Sequence, residues 1–167
     1  MTITVYTKGI LAADSKVKLD DNNDIDFIPS PKLFVNKART AAIAFCGSVP
    51  EIGAEALLTI TLIPAIITMD ESVSGSKVLS EISTSVDALI LTRDSIFHLR
   101  GSVLKNISEL PYAIHGSGSN VARVVLSNPK ATAIDAVVEA CRRDPWCGGD
   151  INYVTVNDLT PLILRDE

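Results

Sequence analysis

The sequence predicts an α+β fold, a four-layer αββα sandwich built from two antiparallel sheets between helix layers. Three observations carry this expectation. Strand-like runs occupy both ends and the middle of the 167 residues. Helical segments fall in pairs between them. The order strands, two helices, strands, two helices, strand suits two sheets covered on both outer faces.

Ile3-Thr4-Val5-Tyr6 and Ile10-Leu11-Ala12-Ala13 are β-branched or small and apolar, and they flank a turn at Thr7-Lys8-Gly9. They read as the first hairpin. Pairing Tyr6 with Ile10 sets Thr2 opposite Asp14 on one face, a geometry that a one-residue slip would break. Asp20-Asp21-Asn22-Asn23-Asp24 reads as a polar loop. It lacks the glycine and final glutamate of a calcium-binding EF-hand loop. Lys32-Leu33-Phe34-Val35, the turn Asn36-Lys37-Ala38-Arg39 and Ala41-Ala42-Ile43-Ala44-Phe45 read as a second hairpin ending at Cys46-Gly47.

Two helices are expected over Glu51–Thr68 and Lys77–Ser83. The apolar run Ile52 to Ile67 holds Glu55 and Pro64. It is shorter than the ~20 residues of a membrane span and reads as a buried helix. Val86 to Leu91 and Ser95 to Leu99 form a hairpin around Arg93-Asp94, and Tyr112-Ala113-Ile114 gives a third strand. A helix-like segment runs from Val121 to Leu126. Thr132 to Arg143 is the clearest helix: Thr132 and Asp135 form a capping box, and Ile134, Val137, Val138 and Cys141 follow i, i+3, i+4, i+7. Ile151 to Val156 is the last strand, with Thr160 to Leu164 as a possible edge.

Length and composition suit one domain over residues 1–167 with a sizeable core. The hydrophobic fraction of 47% and charged fraction of 21% are ordinary for a globular chain. A net charge of −5 without a basic stripe argues against nucleic acid as a partner. Arg142-Arg143 suits a helix C-terminus. Cys46, Cys141 and Cys147 make an odd count, which implies free thiols and a reducing, cytoplasmic compartment. No signal peptide and no membrane partner are expected.

The chemistry begins at Thr2. Removal of Met1 would place a hydroxyl nucleophile and a free α-amine base on one residue. Asp14 and Lys32 are the available partners. A lysine at the head of a buried strand is unusual unless it meets a carboxylate. Its charge would depress the pKa of a nearby α-amine, nominally about 8, and leave more of it as free base. Two further blocks stand out: His115-Gly116-Ser117-Gly118-Ser119-Asn120 after a strand, and Arg143-Asp144-Pro145-Trp146-Cys147-Gly148-Gly149 before one.

Rival chemistries are weaker. Gly116-x-Gly118 lacks the third glycine of a dinucleotide loop, since Val121 stands there, and no acidic residue ends a following strand. His115-Gly116-Ser117 is not a nucleophile elbow. His98 reads as a strand-face histidine and Cys147 as a packed thiol. Metal ligands do not cluster in the sequence, and no cofactor is expected.

Taken together, these features resemble the proteasome β-subunit and HslV-type peptidase family of N-terminal nucleophile hydrolases. The matching features are Thr2, Gly9 to Asp14, Lys32 before a strand leading to Gly47, Gly116 to Ser119, and Arg143 to Gly149. They fall in the family's order and span almost the whole chain. The resemblance implies the αββα sandwich, and gives each residue a role. Thr2 is the nucleophile and its amine the base. Lys32 tunes the amine, and Asp14 holds Lys32. The Gly47 N–H stabilises the oxyanion, a role worth roughly 3–4 kcal/mol. Ser117 and Asp144 orient the amine, and Phe45 and Val49 line the substrate pocket. Cys147 stands where many members have a serine, and Lys16 where an arginine is common.

The activity so implied is that of a threonine-type peptidase in a self-compartmentalised homo-oligomeric ring. It would hydrolyse peptides or unfolded proteins, with an ATP-dependent unfoldase as a possible partner. The alternatives are an inert structural or assembly subunit and a small-molecule amidase using the same nucleophile. Thr2 with Lys32 and Asp14 favours an enzyme, and the absence of an inserted substrate domain favours the peptidase.

Overall fold

The computed structural model describes residues 2–21, 24–47, 49, 53–59, 86–101 and 103–165. β1 (Ile3–Thr7) and β2 (Ile10–Ala13) form the first hairpin. Lys8 and Gly9 both have positive φ, 49° and 75°, so a two-residue turn closes it. This shortens the expected three-residue turn and shifts the register by one. Tyr6 pairs with Leu11, and Thr4 with Ala13. Asp14 therefore lies one residue beyond the last ladder pair.

β3 (Lys16–Asp21) and β4 (Asp24–Pro29) pair along their whole length, Asp21 opposite Asp24. Most of the expected acidic loop is thus strand. β5 (Leu33–Val35) and β6 (Ala41–Phe45) form the second hairpin. A short helix, α1, covers residues 54–59. β7 (Asp87–Thr92), β8 (Ile96–Arg100), β9 (Val103–Asn106) and β10 (Tyr112–Gly116) follow. Then come α2 (Ser119–Leu126), α3 (Ala133–Arg143), β11 (Ile151–Thr155) and β12 (Asp158–Leu164).

The strands make two five-stranded sheets. The first has the order β10-β1-β2-β11-β12 and the second β5-β6-β7-β8-β9. All their pairings are antiparallel. Pro161 falls on β12, an edge strand, where a missing N–H is tolerated. The sheets face each other across Leu11, Ala13, Ala42, Ala44, Leu89 and Val154. Alternation sends Ile43, Phe45, Ala88 and Ile90 to the outer face of the second sheet, against Leu57 and Leu58 of α1. Ile3, Val5 and Ala12 leave the first sheet on its outer face and meet α2 and α3.

This architecture corrects the expected four-layer αββα sandwich. The described residues are mostly β, and their three helices are short, the longest being α3 with 11 residues. Of the helices expected over Glu51–Thr68 and Lys77–Ser83, only 53–59 falls among the described residues, with 54–59 helical; the remainder lies outside them. Among the described residues strands claim more than expected, through β3, β4 and β9, and the helices are too short and few to form two full covering layers.

The α3 capping box forms as the sequence predicts. Thr132 accepts from the Asp135 N–H, and Asp135 accepts from the Thr132 N–H at 2.8 Å. Its most buried stripe is Ala133, Ala136, Val137 and Ala140, whereas Ile134, Val138 and Cys141 are only partly buried. Small side chains win the closest approach because they let the helix sit near the backbone of the sheet.

Candidate active site

The site lies where β1, β2 and β5 meet. Thr2 immediately precedes β1, and Asp14 follows β2. Lys32 precedes β5, and its carbonyl extends the ladder by accepting from Phe45 N–H at 2.9 Å. The sequence brought these three together by a pairing that the structure does not use. In the observed register Asp14 stands beside Ile3, donating its N–H to the Ile3 carbonyl at 3.2 Å. Because β2 has ended, strand alternation no longer dictates the direction of the Asp14 side chain, and it turns back to Thr2.

All three side chains are buried: Thr2 and Asp14 are 0% exposed and Lys32 2%. Thr2 Oγ1 donates to Asp14 Oδ1, and Lys32 Nζ donates to Thr2 Oγ1. Lys32 Nζ also meets Asp14 Oδ1 at 3.0 Å and the Lys16 carbonyl at 2.5 Å. Asp14 further accepts from Ile3 N–H at 3.0 Å and Gly148 N–H at 3.1 Å. A carboxylate offers about four lone-pair sites, so its burial is matched by donors. Burial pushes the Lys32 ammonium below its usual range, and the adjacent Asp14 carboxylate opposes that shift without cancelling it.

β10 fixes the other side of Thr2. The Ser117 N–H donates to the Thr2 carbonyl at 2.9 Å. Gly116, with φ +114°, lies so close that a Cβ there would stand 1.7 Å from Thr2 O. Only glycine permits this approach. Ser117 Oγ and Cys147 Sγ are 3.4 Å apart. Burial pushes the Cys147 thiol up to about 11, with the Ser117 hydrogen bond opposing. Cys147 is therefore a neutral thiol near neutral pH, tied to the residue that holds the Thr2 carbonyl.

The remaining expected residues divide. Gly47 lies in the exposed bend after β6. The end of that strand is linked to β1 by Thr4 Oγ1, which donates to the Phe45 carbonyl at 3.3 Å. Asp144 ends α3, and its Oδ1 accepts from Trp146 N–H at 2.9 Å; it shapes the turn that delivers Cys147 and Gly148. Val49 is 39% exposed. Phe45, expected to line a pocket, is instead fully buried on the outer face of the second sheet, edge-on to Phe34 with centroids 6.0 Å apart. Alternation along β6 turns it away from the sheet interface, so its backbone faces the site and its ring does not.

Sequence reasoning missed Ser15 and a second cluster. Ser15 is buried next to Asp14, and its Oγ has no hydrogen-bond partner among the described residues. The second cluster comprises Cys46, Asp87, His98 and His115. The sulfur of Cys46, a carboxylate oxygen of Asp87 and a ring nitrogen of His115 all lie within 4.8 Å of one another. His98 Nε2 is 2.8 Å from Asp87 Oδ1, and its ring lies 4.2 Å from that of His115. Potential metal ligands thus do cluster, contrary to the expectation from sequence. Burial, then the Asp87 charge, pushes the Cys46 thiol up to about 12. Burial, then the neighbouring His98, holds the His115 imidazole below its usual range. No local signal announces this group, because its members come from the bend after β6 and from β7, β8 and β10, and meet only through sheet pairing and packing.

Among the described residues, no helix is long and apolar enough to cross a membrane. No protein-family model matches the chain, and no curated protein matches it.

Proposed function

We propose that the chain is a threonine-type peptidase whose nucleophile is Thr2, exposed as the terminal residue once Met1 is removed. The observation that supports this best is a buried lysine whose ammonium meets both the Thr2 hydroxyl and the Asp14 carboxylate. In this reading the Thr2 α-amine takes the proton from Oγ1 as Oγ1 bonds to the substrate carbonyl carbon. The developing oxyanion turns to the Gly47 N–H. The scissile C–N bond then breaks, and the leaving amine takes the proton. Water, activated by the now neutral Thr2 α-amine, hydrolyses the ester, and the proton returns to Oγ1 to free Thr2. Lys32 keeps positive charge beside the amine, and Ser117 holds the Thr2 backbone through its N–H. Lys16 and Gly148 complete the enclosure through backbone groups.

The proposal extends to a homo-oligomeric ring of about six subunits or more, acting on peptides or unfolded proteins in a reducing compartment. Exposed Val124 on α2 and Leu162, Ile163 and Leu164 on β12 supply apolar surface for assembly.

One observation favours a second reading, an inert subunit in which the same network is structural: Thr2 is fully enclosed. An intact mass of the native protein, combined with turnover of fluorogenic peptide amides, separates the two. Loss of Met1 with turnover that disappears in Thr2→Ala supports the peptidase. Retained Met1 and no turnover, or turnover unaffected by Thr2→Ala, defeats it.

A further inference from the structure

The cluster at the end of β6 has no role in the proposed hydrolysis. Its donors are a thiol, a carboxylate and an imidazole, with a second imidazole behind the carboxylate. Cys46, Asp87 and His115 are each partly exposed, so an ion in solvent has a way in. The backbone holds the first two together, as Cys46 N–H donates to the Asp87 carbonyl at 2.8 Å. His115 is fixed by its ladder position opposite Thr4 on β1. The sites of attachment are therefore strands and a strand-end bend rather than a mobile loop.

We propose that Cys46, Asp87 and His115 form a binding site for a zinc ion. Zinc takes thiolate, imidazole and carboxylate ligands at about 2.0–2.3 Å in tetrahedral geometry. Such lengths set neighbouring ligand atoms about 3.3–3.8 Å apart. The three atoms here lie within 4.8 Å of one another without an ion. Closing the site takes an approach of about 1 Å, which side-chain rotation supplies. Sulfur and nitrogen donors select against magnesium and calcium, which prefer all-oxygen shells. The thiolate and carboxylate balance the dication, and binding expels the thiol proton to solvent. Three protein ligands leave a fourth position for water. His98, bonded to Asp87 at 2.8 Å, orients that carboxylate as outer-shell partners of metal ligands do.

The site adjoins the β1 end that carries Thr2, because Thr4 pairs with His115 and donates to the carbonyl of the residue before Cys46. The zinc reading does not depend on the peptidase reading, and its test uses no activity.

The full chain, stripped with a chelator and dialysed, is titrated with zinc by calorimetry and with cobalt(II) by absorption. The expected result is one ion per chain, with a thiolate-to-cobalt charge-transfer band and tetrahedral d–d bands. Cys46→Ser should abolish the charge-transfer band. His115→Gln and Asp87→Asn should each weaken zinc binding at least tenfold, and His98→Gln about tenfold. Cys141→Ser should leave binding unchanged. Circular dichroism confirms that each variant is folded; if Cys46→Ser is not, His115→Gln decides. Absence of binding at ~100 µM zinc, or binding that survives both Cys46→Ser and His115→Gln, overturns the proposal.

Discussion

Replacing Lys32 with methionine removes the ammonium while keeping a stem of similar length. The wild-type ammonium meets acceptors that include Thr2 Oγ1, Asp14 Oδ1 and the Lys16 carbonyl. Asp14, fully buried, would then lose the Lys32 cation beside it. Breaking a buried pair from one side costs about 3–5 kcal/mol. Two features pull the value to the low end. Asp14 keeps the Thr2 hydroxyl and the N–H groups of Ile3 and Gly148 as donors. Burial also outweighs Asp14 in setting the Lys32 pKa, so losing that charge relieves a desolvation cost. The expected loss is about 3 kcal/mol. Asp14→Asn should cost a similar amount by stranding the cation. The double variant buries neither charge, so the two losses should fall short of additivity by about 2 kcal/mol or more. Urea unfolding of the four proteins measures this coupling. A value within about 0.5 kcal/mol of zero would refute the argument, since that is the scatter expected of independent sites. Peptide turnover should vanish in both single variants and stay absent in the double. Stability returning without activity would separate the chemical role of the pair from its structural one.

Gly116→Ala should lower stability by about 3 kcal/mol or more, through the overlap with Thr2 O and the positive φ. That corresponds to about 6–12 °C in Tm for a chain of this size. Gly47→Ala should stay within about 0.5 kcal/mol, because none of the described residues lies within 4 Å of the point its added methyl would occupy; equal melting of the two variants would contradict the close approach at Thr2. Phe45→Ala should cost about 3–5 kcal/mol, as a fully buried ring packed on Phe34 is lost; a near-neutral Tm would return Phe45 to a pocket wall. The Lys32 pKa is lower folded than its unfolded value of 10.5. Between the two, the unfolded chain binds more protons, so stability should rise with pH across that window. Below it, Lys32 is charged in both states and its burial cost is present in full. Urea midpoints, wild type minus Lys32→Met, should therefore increase as pH rises toward 10.5; a flat or falling difference would show that burial does not govern this lysine.

The sequence by itself determined the features that depend on near neighbours. The Thr132–Asp135 cap, the strand character of Ile3 to Tyr6 and Ala41 to Phe45, and the presence of a turn within Thr7-Lys8-Gly9 follow from local propensity and period. So does the suspicion attached to Lys32, since an ammonium at the head of an apolar strand needs a carboxylate. The tertiary structure decided what depends on register and on surfaces meeting. A two-residue rather than three-residue turn shifted the first hairpin by one, and Asp14 reached Thr2 by leaving the strand rather than by facing it. Pairing along β3–β4 turned an acidic loop into strand. The alanine stripe of α3 was chosen by distance to the sheet, which hydrophobicity alone does not encode. Cys46, Asp87, His98 and His115 were assembled from separate elements of two sheets. Each is unremarkable in its own window, and only the closure of one sheet on the other puts their ligand atoms within reach.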